Sequence, residues 1–101
     1  MGKSYAHPLV VLIVLPNENE ELRFGFAAGR SIGGAVQRNR AKRLMRAAIQ
    51  SLLHRISSGW DLLFLARQPI QKASFQDVQA ATTGLLERAR LLKELVEERN
   101  A

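Results

Sequence analysis

Five cationic side chains fall within nine residues in the segment Arg38-Asn39-Arg40-Ala41-Lys42-Arg43-Leu44-Met45-Arg46, and no carboxylate lies between Arg23 and Asp61 to neutralise them. Guanidinium and ammonium groups at this density suit the neutralisation of phosphates along a polyanion, so nucleic acid is the first partner they imply. A solvated helix face ordinarily interleaves both charge signs, and this one does not. Like charges one turn apart repel by about 0.2–0.5 kcal/mol per pair, which brings no structural return.

Groups suited to bond-breaking chemistry are scarce. Cysteine is absent, which removes disulfides and thiolate metal sites and fits a reducing compartment. His7 and His54 are far apart, and neither has a second ligand at metal spacing. His54 reads as a polar residue near a helix C-terminus. Outside the acidic turn at 18–21 and the last segment, the carboxylates are Asp61 and Asp77. Asp77 is accounted for by capping. No nucleophile, base and orienter can be assembled, so neither a catalytic residue nor a metal ligand is assigned. Gly29, Gly33 and Gly34 lack the spacing of a Walker or dinucleotide loop. They read as turn glycines, although Gly34 could let phosphate approach backbone N–H groups at a helix start.

These residues need elements to position them. Leu9 to Leu15 is an unbroken aliphatic run between Pro8 and Pro16, read as a buried strand, and 16–21 is a polar turn. Leu22 to Ala28 alternates, with Leu22, Phe24 and Phe26 on one side, and is read as a second strand and hairpin partner of the first. A long helix is expected from Ala35, with Ala41, Met45, Ala48, Leu52 and Ile56 as its buried stripe and Ser57-Ser58-Gly59 as its stop. At about 100° per residue, Asn39, Lys42, Arg43 and Arg46 oppose that stripe, while Arg38 and Arg40 sit at its margins. Trp60 to Ala66 is a third strand, 67–73 a loop, and Ser74 with Asp77 a capping box. The last helix carries Val78, Ala81, Leu85, Ala89, Leu92 and Val96 inward, with Gly84 mid-helix costing about 1 kcal/mol relative to alanine. The expected order is β-β-α-β-α, and alternation assigns most of the aromatic rings to the core.

At 101 residues, 47% of them apolar, the chain has length for one core and not two. Its formal charge of +6 is regional: ten Lys or Arg lie between Leu22 and Lys72 against Asp61 alone. The apolar run at 9–15 is far short of the roughly 20 residues that cross a bilayer, and no small-residue cleavage site follows it.

The stretch Gly33-Gly34-Ala35-Val36-Gln37-Arg38-Asn39-Arg40-Ala41-Lys42-Arg43-Leu44-Met45-Arg46 closely resembles the Arg-Asn-Arg helix of the bacterial ribonuclease P protein family. Leu22 to Phe26 is similar to the strand before that family's basic loop, and Asp61 to Arg67 with Pro69 to its later strand and turn. Ser74 opens what resembles its closing helix. The resemblance implies a single domain over 1–101, an α/β two-layer sandwich like a domain of a small-subunit ribosomal protein. Its basic helix would make a left-handed crossover between parallel strands, against the usual right-handed rule.

The resemblance also implies a function: the protein subunit of a ribonucleoprotein that removes the 5′ leader of precursor tRNA, with the RNA performing the hydrolysis and binding most of the Mg2+. It implies RNA contact at Arg30, Arg38, Asn39, Arg40, Lys42, Arg43 and Arg46, and makes Phe24 and Phe26 candidates for the leader cleft. The implied partners are ribonuclease P RNA and precursor tRNA, with no membrane, a weak homodimer and a cytoplasmic location. Where the family carries adjacent lysines this chain has Arg30 and Ser31, one cation fewer. The family usually has a basic tail and an aromatic-bearing helix, one wall of the leader cleft, ahead of the segment that here starts at Gly2. Weaker leader binding and an exposed apolar sheet face are therefore expected. The alternatives are a generic RNA-binding α/β module and a self-sufficient ribonuclease. The latter is opposed by the absence of a His/Glu/Arg site.

Overall fold

The computed structural model describes residues 2–93. Its strands and helices run β1 (Lys3–Ala6), β2 (Val10–Pro16), β3 (Leu22–Ala27), α1 (Ala35–Gln50), β4 (Trp60–Ala66) and α2 (Phe75–Arg88), with 3-10 turns at Arg30–Ile32, Leu53–Arg55 and Gln68–Lys72. β1 adds a strand to the expected order. Four mostly exposed residues carry too little alternation to be read from sequence, and pairing to β2 creates the strand. The turn between them is tied by His7, whose Nδ1 accepts the Leu9 N–H at 3.0 Å. That gives His7 a structural use.

The sheet order is β1-β2-β4-β3. β4 runs antiparallel to β2, with Leu12 opposite Phe64, and parallel to β3, with Phe26 opposite Phe64. The expected hairpin of residues 9–15 with 22–28 is thus corrected: β4 lies between them. Trp-Asp-Leu-Leu-Phe-Leu-Ala is apolar on both faces and suits the centre, whereas β3, interrupted by Arg23 and Gly25, takes an edge. The 17–21 turn then has to pass the start of β4, where the Asn17 N–H donates to Gly59 O and the Gly59 and Trp60 N–H groups to Glu21 O.

Both helices cover one face of the sheet. Val10, Leu12, Val14, Leu62 and Phe64 meet Met45, Ile49, Val78, Leu85 and Leu86 there in one buried core. This is the expected two-layer sandwich. The other face carries Val11, Ile13, Leu63 and Leu65 half-buried, and Leu15 44% exposed.

The helix ends differ from expectation. α1 stops at Gln50, not Ile56; the chain tightens into Leu53–Arg55 and still buries Leu52 and Ile56. α2 starts as expected, with the Ser74 and Asp77 side chains each accepting the other's backbone N–H at 3.1 and 3.0 Å. It runs unbroken through Gly84, then ends at Arg88. Arg90 takes φ 61°, and the Leu91 N–H reaches back to Leu86 O and the Arg90 N–H to Glu87 O, a Schellman closure. Leu92 then bridges to Ile56 instead of continuing the helix. Val96, expected in the stripe, lies outside the described residues.

Candidate nucleic-acid interface

The loop before α1 is pinned by Ile32, which is fully buried, while Arg30 and Ser31 on the same 3-10 turn are exposed. Gly33 has φ 130°, a conformation L side chains rarely adopt. The Gly34 N–H donates to Gln37 Oε1 at 3.1 Å, closing the first turn of α1. Ala41, Met45, Ala48 and Ile49 then face the core. With that stripe fixed, the 100° step puts Arg38, Lys42 and Arg46 in one row along the margin toward β3, with Asn39 and Arg43 outward, so that Lys42 and Arg46 flank the stripe and do not oppose it as expected. Asn39, Arg43 and Arg46 are exposed, whereas Arg38 and Lys42 are half-buried.

Arg46 ends this row over an aromatic ring. Its guanidinium carbon is 5.1 Å from the Phe26 centroid, at cation–π distance. Phe26 in turn lies 5.7 Å from Phe64 and 6.5 Å from Phe24, centroid to centroid, both at an interplanar angle of 16°. The rings of Phe24 and Phe26 therefore face the helix layer, half-buried, at the edge of the core and not on the open sheet face.

Arg40 is on the opposite margin and is engaged with the protein itself. Its guanidinium donates to the carbonyls of Ile70, Gln71 and Ala73 at 3.3, 3.4 and 2.9 Å, clamping the turn after β4 against α1. The structure thus brings together Arg38, Asn39, Lys42, Arg43 and Arg46, places Arg30 in the loop that leads into them, and turns Arg40 inward. None of these cations has a carboxylate partner among the described residues, where the single ion pair is Arg23–Asp61.

That pair was not anticipated from sequence. Arg23 and Asp61 are register partners on parallel strands, which no local pattern reveals. Arg23 donates twice to the carboxylate, at 2.9 and 2.7 Å, and Asn17 Nδ2 once at 2.9 Å. The Arg23 and Asn17 hydrogen bonds hold the Asp61 carboxyl below its ordinary range. Beside it, on the open face, Leu15, Arg23, Gly25, Asp61 and Leu63 line a shallow hollow of about 210 Å³.

Among the described residues no group of three or more His, Asp or Glu could hold a metal ion, and no helix is long and apolar enough to cross a membrane. The family model described as Ribonuclease P matches residues 1–90. The ribonuclease P protein component of Chloroflexus aurantiacus is 42% identical over 92 residues, covering 90% of this chain and 68% of its own length. That of Dehalococcoides mccartyi is 34% identical over 97 residues, covering 96% and 79%. Among solved structures, the Staphylococcus aureus RNase P protein superposes with a TM-score of 0.82 at 27% identity, over 91% of this chain and 84% of that one. The Thermotoga maritima protein gives 0.78 at 26% identity, over 86% and 83%.

Proposed function

We propose, for a chain that belongs to the ribonuclease P protein family, the role of protein subunit in a ribonuclease P ribonucleoprotein: it binds the catalytic RNA and precursor tRNA and assists removal of the tRNA 5′ leader. The observation that carries this reading is the α1 margin, where Arg38, Lys42 and Arg46 stand in a row with Asn39 and Arg43 beside them and no carboxylate partner among the described residues. Such a row neutralises successive phosphates and releases their counterions. Arg30 extends it toward the loop. Phe26 beneath Arg46, with Phe24 beside it, supplies an apolar floor against which an unpaired leader base could pack.

Hydrolysis belongs, in this reading, to the RNA subunit, with Mg2+ held mainly by RNA phosphates and supplying the metal chemistry. The protein lowers the electrostatic cost of bringing substrate RNA against catalytic RNA, which is otherwise met by high salt or Mg2+. A cytoplasmic location and weak self-association through the open sheet face complete the proposal.

The test uses labelled precursor tRNA with and without a bacterial ribonuclease P RNA. Protein alone is expected to cleave nothing, and protein with RNA to restore cleavage at low Mg2+ and moderate salt. Cleavage by nuclease-free protein would overturn this role. Binding without any gain in cleavage would favour a generic RNA-binding module.

A further inference from the structure

Because β3 and β4 are parallel, both deliver their C-terminal loops to the same end of the sheet, and the β1–β2 turn arrives there too. These loops interlock. The Arg67 N–H donates to Leu9 O at 2.9 Å, the Gln71 side-chain amide donates to Ile32 O, and Arg40 grips the carbonyls of 70, 71 and 73. Held on this rigid end are Arg30, Arg67 and Lys72, all exposed and without a carboxylate partner among the described residues. The nearby carboxylate is Asp77, which faces the hollow shared with His7 and Lys72 but accepts the Ser74 N–H. Glu18, Glu20 and Glu21 lie at the far end, beside Gly59 and Trp60.

We infer that this end of the sheet is a second phosphate-contact surface, formed by Arg67 and Lys72 with Arg30. RNA backbone held along α1 continues from Arg38 around the loop end, instead of leaving the protein at the first turn of the helix. The partner is RNA because the surface offers point charges and a guanidinium fork around an open, shallow hollow that holds His7 and Asp77 as well as Leu9 and Pro69, which suits a phosphate chain passing over it. This inference rests on the RNA-binding role proposed above.

Equilibrium binding of the full chain to a bacterial ribonuclease P RNA, measured against log salt, tests it. Each lost phosphate contact should reduce the slope by about 0.7–0.9, so Arg67→Gln with Lys72→Gln should make it shallower by about 1.4–1.8. Arg67 also reaches His7 O at 3.4 Å, so Lys72→Gln alone, expected to remove about 0.7–0.9, guards against a folding effect. Bound RNA should also protect Lys72 from acetylation. A wild-type slope retained by Lys72→Gln and by the double variant, while Lys42→Ala/Arg43→Ala/Arg46→Ala lowers it, overturns the second surface and leaves the α1 reading intact. Absence of salt-dependent RNA binding by the wild type overturns both.

Discussion

Lys42, Arg43 and Arg46 can lose their charge without opening the core, since Ala41, Met45, Ala48 and Ile49 fill the buried side of α1. Replacing the three with alanine is expected to weaken RNA binding and flatten its dependence on log salt, with the melting temperature nearly unchanged. An unaltered slope or a collapse in melting temperature would refute that placement. Arg40→Ala should do the reverse. It removes the guanidinium from three carbonyls, of which Ile70 O keeps the Ala73 N–H, and should cost about 1–3 kcal/mol in chemical denaturation, with a smaller effect on the slope. The cationic face was legible because charge and helical period coincide within nine residues. The inward turn of Arg40 was not, because its acceptors lie at least 30 residues away in the chain. Asp61 gives a pH signature. Its folded pKa is depressed below 3.8, so the unfolded chain binds the proton more readily; the stabilisation is present above that value and is lost as pH falls through the folded pKa. Asp61→Asn should therefore flatten the acid limb of a stability–pH curve below about pH 4, visible by urea titration at pH 3 and pH 6.

At the scale of elements, the closure of α2 offers a clean gain. Arg90 occupies the left-handed position after the helix, where glycine carries no Cβ penalty. Arg90→Gly should raise stability by about 1 kcal/mol with RNA affinity unchanged, measured by thermal unfolding and by filter binding. A loss of stability would show that the Arg90 side chain contributes more than its backbone strain removes. This residue also explains part of what sequence could not show: without a glycine at 90, nothing marked the stop, and the apolar period ran on through Leu92. The start at Ser74 and Asp77 was readable because a capping box is local. Strand identity was readable for 9–15, 22–28 and 60–66 on the same ground. Strand partners were not, because the choice of β4 over β3 as neighbour of β2 depends on which strand is apolar on both faces once the helices have covered one.

The whole molecule is polarised in two ways. The cations on α1 and at the end where β3 and β4 finish adjoin one another, while at the other end the acidic 17–21 turn mixes its charge with that of Lys3, Arg23 and Arg55, so a polyanion is drawn to the first region and approaches in a preferred orientation. Among the described residues, the sheet is covered on one side only. Val11, Ile13, Leu63 and Leu65, half-buried, and the exposed Leu15 make the other side apolar. We expect the apparent mass from light scattering to rise with concentration, and Ile13→Lys to abolish the rise. A strict monomer at millimolar concentration would count against that face as a contact. The central place of β4 has a kinetic meaning as well. β2 and β3 share no pairing, and the strand that joins them begins only at Trp60. Until those residues emerge from the ribosome, the β1–β2 hairpin is the sheet pairing available to the nascent chain, and α1 has no finished surface to lie on. Sheet closure and the fixing of the cationic row should thus occur together, late in synthesis, so that a half-made chain does not yet present an ordered RNA-binding face.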